Sequence, residues 1–321
     1  MAKIMEHLQS NEVRKCLNVR HRVKQATRDY LVSQGFLEID TPVLSPVIEE
    51  YTKQYFEVVP DGVTPQYSLP QSPQIYKQLL MLAGYKKYFQ FAHCFRKDPE
   101  VNVSNHHAYE FMQIDVEMHI DSIDVLMKQV EDMILSICNR LEIECNYPFP
   151  VVSGLECKKL YGTDKPDLRK SENDFAFIWI KRLPLVENIG DFERIKVTSA
   201  DINMDGKLFI PSHHIFAKPS QVVCGGSYED LRETTTESFD LVLNGIEMCS
   251  GDLRITDRSI QEEMMDLFGV EKSRYEFYLS LLDKDVSNGG FAIGFDRITM
   301  LLSGFRNINL ANAFSGMWWK D

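Results

Sequence analysis

Three groups of charged residues in this 321-residue chain have the types and spacing for chemistry on anions. Arg96, Lys97 and Asp98 follow the strand-like run YFQFAHCFR and open a polar loop through residues 97–108. An arginine at a strand end can fork onto two oxygens of a phosphate or carboxylate. Three such charges alone equally describe a surface ion-pair cluster. Asp240 and Glu247 lie around FDLVLNGIE; on one strand with an irregularity they could share a hard cation such as Mg²⁺. Solvated surface carboxylates have the same spacing. Arg254 follows the small residues Cys249, Ser250 and Gly251, which permit close approach of a ligand or mark a bulge. GGFAIGFDR places Gly289, Gly290 and Gly294 ahead of Arg297, but it is neither a Walker loop nor a dinucleotide fingerprint. His213-His214 and His106-His107 are adjacent pairs. Neighbours on a strand point to opposite faces, so at most one of each pair is expected to face a given site.

These side chains need a frame. Asn18–Gln34 reads as a helix with Val19, Val23, Ala26, Tyr30 and Leu31 on one face and Gly35 as its stop. GFLEIDTPVLSP is strand-like and ends in two prolines. PQYSLPQSPQIYKQLLMLA reads as strand, turn and a helix entered at Ser72-Pro73. YEFMQIDVEMHI alternates as a strand, and a helix capped by Asp121 buries Val125 to Leu141. FAFIWIKRL and FDLVLNGIEM read as further strands, residues 258 onward and 272–283 as helices, and GGFAIGFDRITMLLSG as a strand running into a helix. Hairpin-connected strands without regular βαβ alternation predict an α+β fold with an antiparallel sheet flanked by helices.

Composition sets outer limits. With 44% hydrophobic and 26% charged residues, disorder is excluded. There is no apolar run long enough for a membrane span and no apolar core for a secretory signal near the N-terminus, so a cytoplasmic location is expected. Seven scattered cysteines without a CxxC pair are expected to be reduced thiols. A net charge of −12 opposes whole-surface attraction to nucleic acid, leaving room for a local basic patch.

In order, the segments resemble the catalytic domain of class II aminoacyl-tRNA synthetases, within them the bacterial-type aspartate enzymes. GFLEIDTPVL, with Pro42, is similar to motif 1, the dimer-forming segment of the family. FQFAHCFRKDPE with HHAYEFMQIDVEM is similar to motif 2, and GFAIGFDRITMLL to motif 3. LPQSPQIYKQLLM, YGTDKPDLR, FAFIWI, HHIF and FDLVLNGIE also resemble segments of those enzymes. The resemblance implies one catalytic domain over residues 1–321, ATP as substrate, Mg²⁺ and a homodimer. It assigns Arg96 to the α-phosphate, Arg297 to the γ-phosphate and Phe111 to the adenine. Asp98 takes the place of a glutamate in the ATP loop, and Gly294 belongs to the motif 3 ATP site. Asp240 and Glu247 match metal carboxylates. Lys77 and Arg254 match the cations on the side-chain carboxylate of L-aspartate, Gln74 and Asp115 the groups at its amino end, and His213 and His214 a histidine pair beside it. Lys77 with a forked Arg254 is expected to select aspartate over asparagine, since a side-chain amide would leave buried charge unpaired, and Arg254→Leu is expected to abolish activation while sparing ATP binding.

The departures from the family are as informative. The sequence begins almost at the motif 1 segment, so an N-terminal anticodon-binding domain is expected to be missing, and Arg169 is followed almost at once by FAFIWI, without the family's large insertion. VIEEYTKQYF replaces a charged loop after motif 1, where Glu50 and Lys53 are candidate substitutes. CSGD replaces a glycine-rich stretch, and Asp252 is expected to alter recognition of the α-amino group or the acceptor. Trp318 and Trp319 replace a proline-containing end. The expectation is aspartate adenylation followed by transfer to ammonia, a small amine or alcohol, or a protein group. A compact aspartate–tRNA ligase reading only the acceptor stem, and a non-catalytic aspartate sensor, are the alternatives.

Overall fold

Alternation at period two builds the centre of the molecule. In NGGFAIG, Phe291 and Ile293 are buried in the core, which leaves Gly290, Ala292 and Gly294 to the opposite face. The computed structural model describes residues 2–46, 55–59, 67–97, 105–188, 202–204, 207–221, 228–282 and 286–314. Asp98, Glu50, Lys53, Cys224, Trp318 and Trp319 lie outside them.

The described strands are β1 (Leu37–Glu38), β2 (Ser45–Pro46), β3 (Phe56–Val58), β4 (Tyr67–Leu69), β5 (Lys87–Phe95), β6 (Glu110–His119) and β7 (Val151–Ser153). They continue as β8 (Phe177–Lys181), β9 (Val186–Asn188), β10 (Ile202–Met204), β11 (Lys207–Pro211), β12 (Ser238–Leu243), β13 (Ile246–Leu253) and β14 (Asn288–Gly294). The helices are α1 (Ala2–Gln9), α2 (Asn11–Ser33), α3 (Gln74–Leu82), α4 (Ile123–Leu141), α5 (Gly154–Tyr161), α6 (Tyr228–Glu233), α7 (Arg258–Leu267), α8 (Glu276–Leu279) and α9 (Phe295–Leu302). One sheet runs β1-β5-β6-β14-β13-β12-β8-β7, antiparallel except for the parallel pairs β1–β5 and β7–β8. The expected α+β class is what the chain adopts.

Helices α2, α4 and α9 join the sheet in one apolar core, where Val23, Leu126, Val130 and Ile298 cluster with Phe89, Val116, Leu241 and Phe291. Each such buried side chain contributes about 1.5–3 kcal/mol. A second cluster, with Ile75, Phe216, Met264 and Tyr278, joins α3, α7 and α8. The six described cysteines are free. Among the described residues no helix is long and apolar enough to cross a membrane.

Local departures from the expected elements have physical causes. α2 starts seven residues before Asn18, because Ser10 caps it by accepting from the Val13 amide and its first turns bury only Val13 and Cys16. Interrupted by Pro42, GFLEIDTPVLSP yields just the two-residue strands β1 and β2. Ser122, not Asp121, stands at the start of α4. The segment 272–283 breaks into a 3₁₀ turn and the short α8. FDLVLNGIEM is a hairpin: Asn244 and Gly245 both take positive φ, 54° and 80°, as a tight turn of Asn-Gly requires.

Gly290 is constrained by its neighbours across the sheet. A Cβ there would lie 1.9 Å from Glu117 Oε2 and 2.4 Å from the Val116 carbonyl oxygen. Gly290→Ala should therefore cost about 1–3 kcal/mol in urea denaturation. A wild-type midpoint for that variant would contradict this packing.

Candidate active site

The site is laid out on rungs of the sheet. Glu117 on β6 pairs in register with Gly290 on β14, which pairs with Asp252 on β13. Two residues along, Asp115 pairs with Ala292, Ala292 with Ser250, and Ser250 with Asp240 on β12. Steps of two keep these side chains on one face. The small residues of β14 form the floor, so acids from both neighbouring strands can lean over it. A cavity of about 390 Å³ results, within the range of small-ligand sites.

Lys77, Arg96, Phe111, Asp115, His213, His214, Asp240, Glu247, Arg254, Gly294 and Arg297 all line this one cavity. Gln74 does not. It lies one turn before Lys77 on α3, buried, with its Nε2 lacking a hydrogen-bond partner among the described residues. Gly294 precedes α9, and a Cβ there would touch the Arg297 side chain at 3.4 Å.

One end of the cavity holds a buried charge cluster. Lys77 Nζ donates to Asp115 Oδ1 at 3.0 Å and lies 3.5 Å from Glu117 Oε2. Arg254 donates through Nε and Nη2 to the two Glu117 oxygens at 2.7 and 2.8 Å, and through Nη1 to Asp252. His214 Nε2 stands 3.0 Å from Arg254 Nη1 and 3.1 Å from Asp252 Oδ2. Burial pushes the Asp252 carboxyl up, but Arg254 and then His214 outweigh it and hold it well below the usual carboxylate range. Burial lowers the His214 imidazole. Asp115 Oδ2 is buried without a partner among the described residues, an acceptor available to an ammonium group.

The other end gathers arginines around the motif 2 loop. Arg96 takes its place through its amide, which donates to the Tyr109 carbonyl at 2.9 Å, and its guanidinium lies 5.2 Å from the centre of the Phe111 ring. Arg297 donates to the carbonyls of His106 at 3.3 Å and Glu247 at 3.0 Å, and its Nη2 is 3.2 Å from His107 Nε2. Asp296 anchors α9 to β6 by accepting from the Met112 amide at 2.6 Å and from Arg20.

Between the ends, Asp240 and Glu247 come together across the hairpin, helped by a register shift between Leu241 and Val242. Burial and the neighbouring Glu247 raise the Asp240 carboxyl. Burial also acts to raise Glu247, but Lys165, 3.1 Å away, and then Arg297 hold it down. His213 Nε2 is 3.4 Å from Asp240 Oδ1, and its Nδ1 bonds Ser250 Oγ at 3.1 Å. Two mutually repelling carboxylates fit Mg²⁺, which takes one or two protein carboxylates and completes its shell with phosphate and water. Among the described residues no group of three or more metal-ligating side chains exists.

Three expectations change. Both members of each histidine pair, His213-His214 and His106-His107, line the cavity, because the first follows β11 in a bend and the second lies at a turn, not in a strand. Asp240 and Glu247 sit on two paired strands, not one. Lys77 and Arg254 are not open cations, since three buried carboxylates already engage them. Two further residues of the site, Glu117 and Lys165, are not among those expected from the sequence. Glu117 was readable from the period-two series Gln113, Asp115, Glu117; Lys165, in a loop, carried no periodic signal.

The chain belongs to the family of class II tRNA synthetases (D, K and N), whose profile matches residues 1–317. Its relatives are AMP-forming ligases. It is 28% identical to the aspartate–tRNA(Asp/Asn) ligase of Methylacidiphilum infernorum, over 96% of this chain and 71% of that protein. To the aspartate–tRNA ligase of Staphylococcus aureus strain Newman it is 26% identical, over 96% of this chain and 72% of that one. The first alignment runs for 432 residues, longer than this whole chain, so the relative carries internal residues without a counterpart here. In fold it is similar to asparaginyl-tRNA synthetase from Pyrococcus horikoshii complexed with asparaginyl-adenylate, with a TM-score of 0.71 at 16% identity, covering 98% of this chain and 70% of that one. The Entamoeba histolytica asparaginyl enzyme gives 0.69 at 18%, covering 95% and 68%.

Because Arg254 balances Glu117 and Asp252, its loss is first a structural lesion. Arg254→Leu should destabilise the protein by about 3–5 kcal/mol, as removal of one partner of a buried ion pair does. Thermal and urea melts measure this, and a variant as stable as wild type would refute the compensation described.

Proposed function

We propose that the cavity activates L-aspartate with ATP, forming aspartyl-adenylate and pyrophosphate within one catalytic domain spanning residues 1–321. The observation that carries this reading is one cavity with two chemically distinct ends: arginines beside an aromatic ring at one, and a buried acceptor, Asp115 Oδ2, at the other. An aspartate carboxylate oxygen attacks the α-phosphorus; the bond to the bridging oxygen breaks, and pyrophosphate departs with its electron pair. The carboxylate is ionised near neutral pH, so no general base is needed. Arg96 neutralises charge at the attacked phosphate and Arg297 at the leaving group, while positioning supplies much of the remaining acceleration. Phe111 offers its ring to the adenine. Asp115 receives the α-ammonium, and Gln74, one turn before Lys77 on α3, is assigned to the same end. His213 orients Asp240. Asp240 and Glu247 would hold Mg²⁺, which supplies further neutralisation of phosphate charge.

The second step is transfer to an acceptor other than an anticodon-read tRNA: ammonia, a small amine or alcohol, or a protein group. The missing internal segment and the net charge of −12 support this. The names of the relatives favour an alternative, a compact aspartate–tRNA ligase that uses the acceptor stem. A homodimer through the motif 1 region fits the exposed Leu37, Val43 and Leu44 beside the edge strand β1.

Aspartate-dependent exchange between ATP and labelled pyrophosphate is the expected activity, and chelation by EDTA should abolish it. A folded protein that binds ATP and shows no exchange with aspartate would refute the reading. With exchange established, aspartyl transfer to hydroxylamine and ammonia should exceed transfer to total tRNA. Faster charging of tRNA would select the compact ligase instead.

A further inference from the structure

We propose that Asp252 determines side-chain specificity in the amino-acid pocket, acting as a built-in competitor for the substrate's side-chain carboxylate at Arg254. The inference rests on the reading of this pocket as the aspartate site. Formal charge makes the case. Lys77 and Arg254 face three carboxylates, Asp115, Glu117 and Asp252, and all five side chains are buried. Each of the three guanidinium nitrogens of Arg254 is engaged, two by Glu117 and the third by Asp252 with His214 beside it. The N–H groups that remain, on Nη1 and Nη2, belong to a cation that, with Lys77, is already outnumbered by carboxylates, so an incoming carboxylate finds no uncompensated charge there.

The contact most readily exchanged is the one to Asp252. Glu117 holds Arg254 by two parallel bonds, whereas Asp252 uses one oxygen, Oδ1. Its other oxygen already faces histidine: Oδ2 lies 3.1 Å from His214 Nε2 and 4.0 Å from His213 Nδ1. A substrate carboxylate can therefore take the Nη1 side of Arg254 while Asp252 is retained by the histidines. That exchange swaps one carboxylate for another and gains little. A side-chain amide needs no exchange, because it leaves no uncompensated cation behind. The pocket should thus treat aspartate and asparagine more nearly alike than an open pair of cations would.

Removing the competitor restores the contrast. In Asp252→Asn, or the smaller Asp252→Ser, Lys77 and Arg254 face only Asp115 and Glu117, two charges against two. Both variants should fold, which circular dichroism checks. In pyrophosphate exchange, the KM for aspartate should fall about tenfold, worth about 1.4 kcal/mol, while the KM for ATP stays within about twofold. Wild-type protein should prefer aspartate over asparagine in thermal-shift titrations by less than about tenfold, and the variants by clearly more. A hundredfold aspartate preference in wild type overturns the proposal on its own. So does an aspartate KM unchanged or raised in the folded variants, which leaves aspartate activation standing. Exchange absent from wild type but gained by a variant removes the activation reading and keeps the role of Asp252. Silence of all three proteins toward aspartate overturns both.

Discussion

The site depends on one rung of the central sheet, where Glu117, Gly290 and Asp252 lie side by side on β6, β14 and β13. Two carboxylates flanking a glycine would repel across a narrow gap were Arg254 not set between them. The glycine creates that gap, since any side chain there would collide with Glu117 and the Val116 carbonyl. The arginine fills it electrically. Burying charges from both neighbouring strands is costly, and it is tolerable only when every partner is present and well aligned. The rung therefore couples core packing to the site: the helices that seal the opposite face of β14 also hold the floor on which the ions are placed.

The same logic grades the rest of the cavity. The end proposed for the amino acid is dry and closely paired, with Lys77, Asp115, Glu117, Asp252 and Arg254 almost inaccessible to water. The opposite end is looser: Arg96 bonds the Gln71 carbonyl and lies over the Phe111 ring, and Arg297 bonds carbonyls with the Glu247 carboxylate 3.8 Å away. A closely ion-paired pocket fixes the few positions at which the charged groups of a small ligand can bond. A cationic, partly solvated mouth suits a triphosphate. The hairpin carrying Asp240 and Glu247 joins the two, where a metal shared with phosphate would sit.

Much of this was legible in the sequence, and the exceptions are instructive. The strand through Asp115 announces itself by alternation and the helix through Lys77 by its proline entry, while Asp115 and Lys77 themselves are marked by the resemblance to class II synthetases and Arg254 by the small residues before it. Asn244-Gly245 signals a hairpin as strongly as any dipeptide, yet FDLVLNGIEM also satisfies a single-strand pattern, and cross-strand register decides between them. His213 and His214 share the cavity because the backbone bends after Pro211, and no periodicity encodes such a bend. The compensation of Arg254 by Glu117 is a contact between residues 137 positions apart, and only pairing through β14 brings them together. Residue types marked the chemistry; register determined which charges remain available for it.

The account is tested most directly by a crystal structure with a non-hydrolysable aspartyl-adenylate analogue. It predicts the ligand's ammonium on Asp115 Oδ2, its phosphate at Arg96, and its side-chain carboxylate on Arg254, with Asp252 turned from Arg254 toward His213 and His214. An analogue bound in the cavity with the Asp252–Arg254 contact intact and its own carboxylate elsewhere would contradict it.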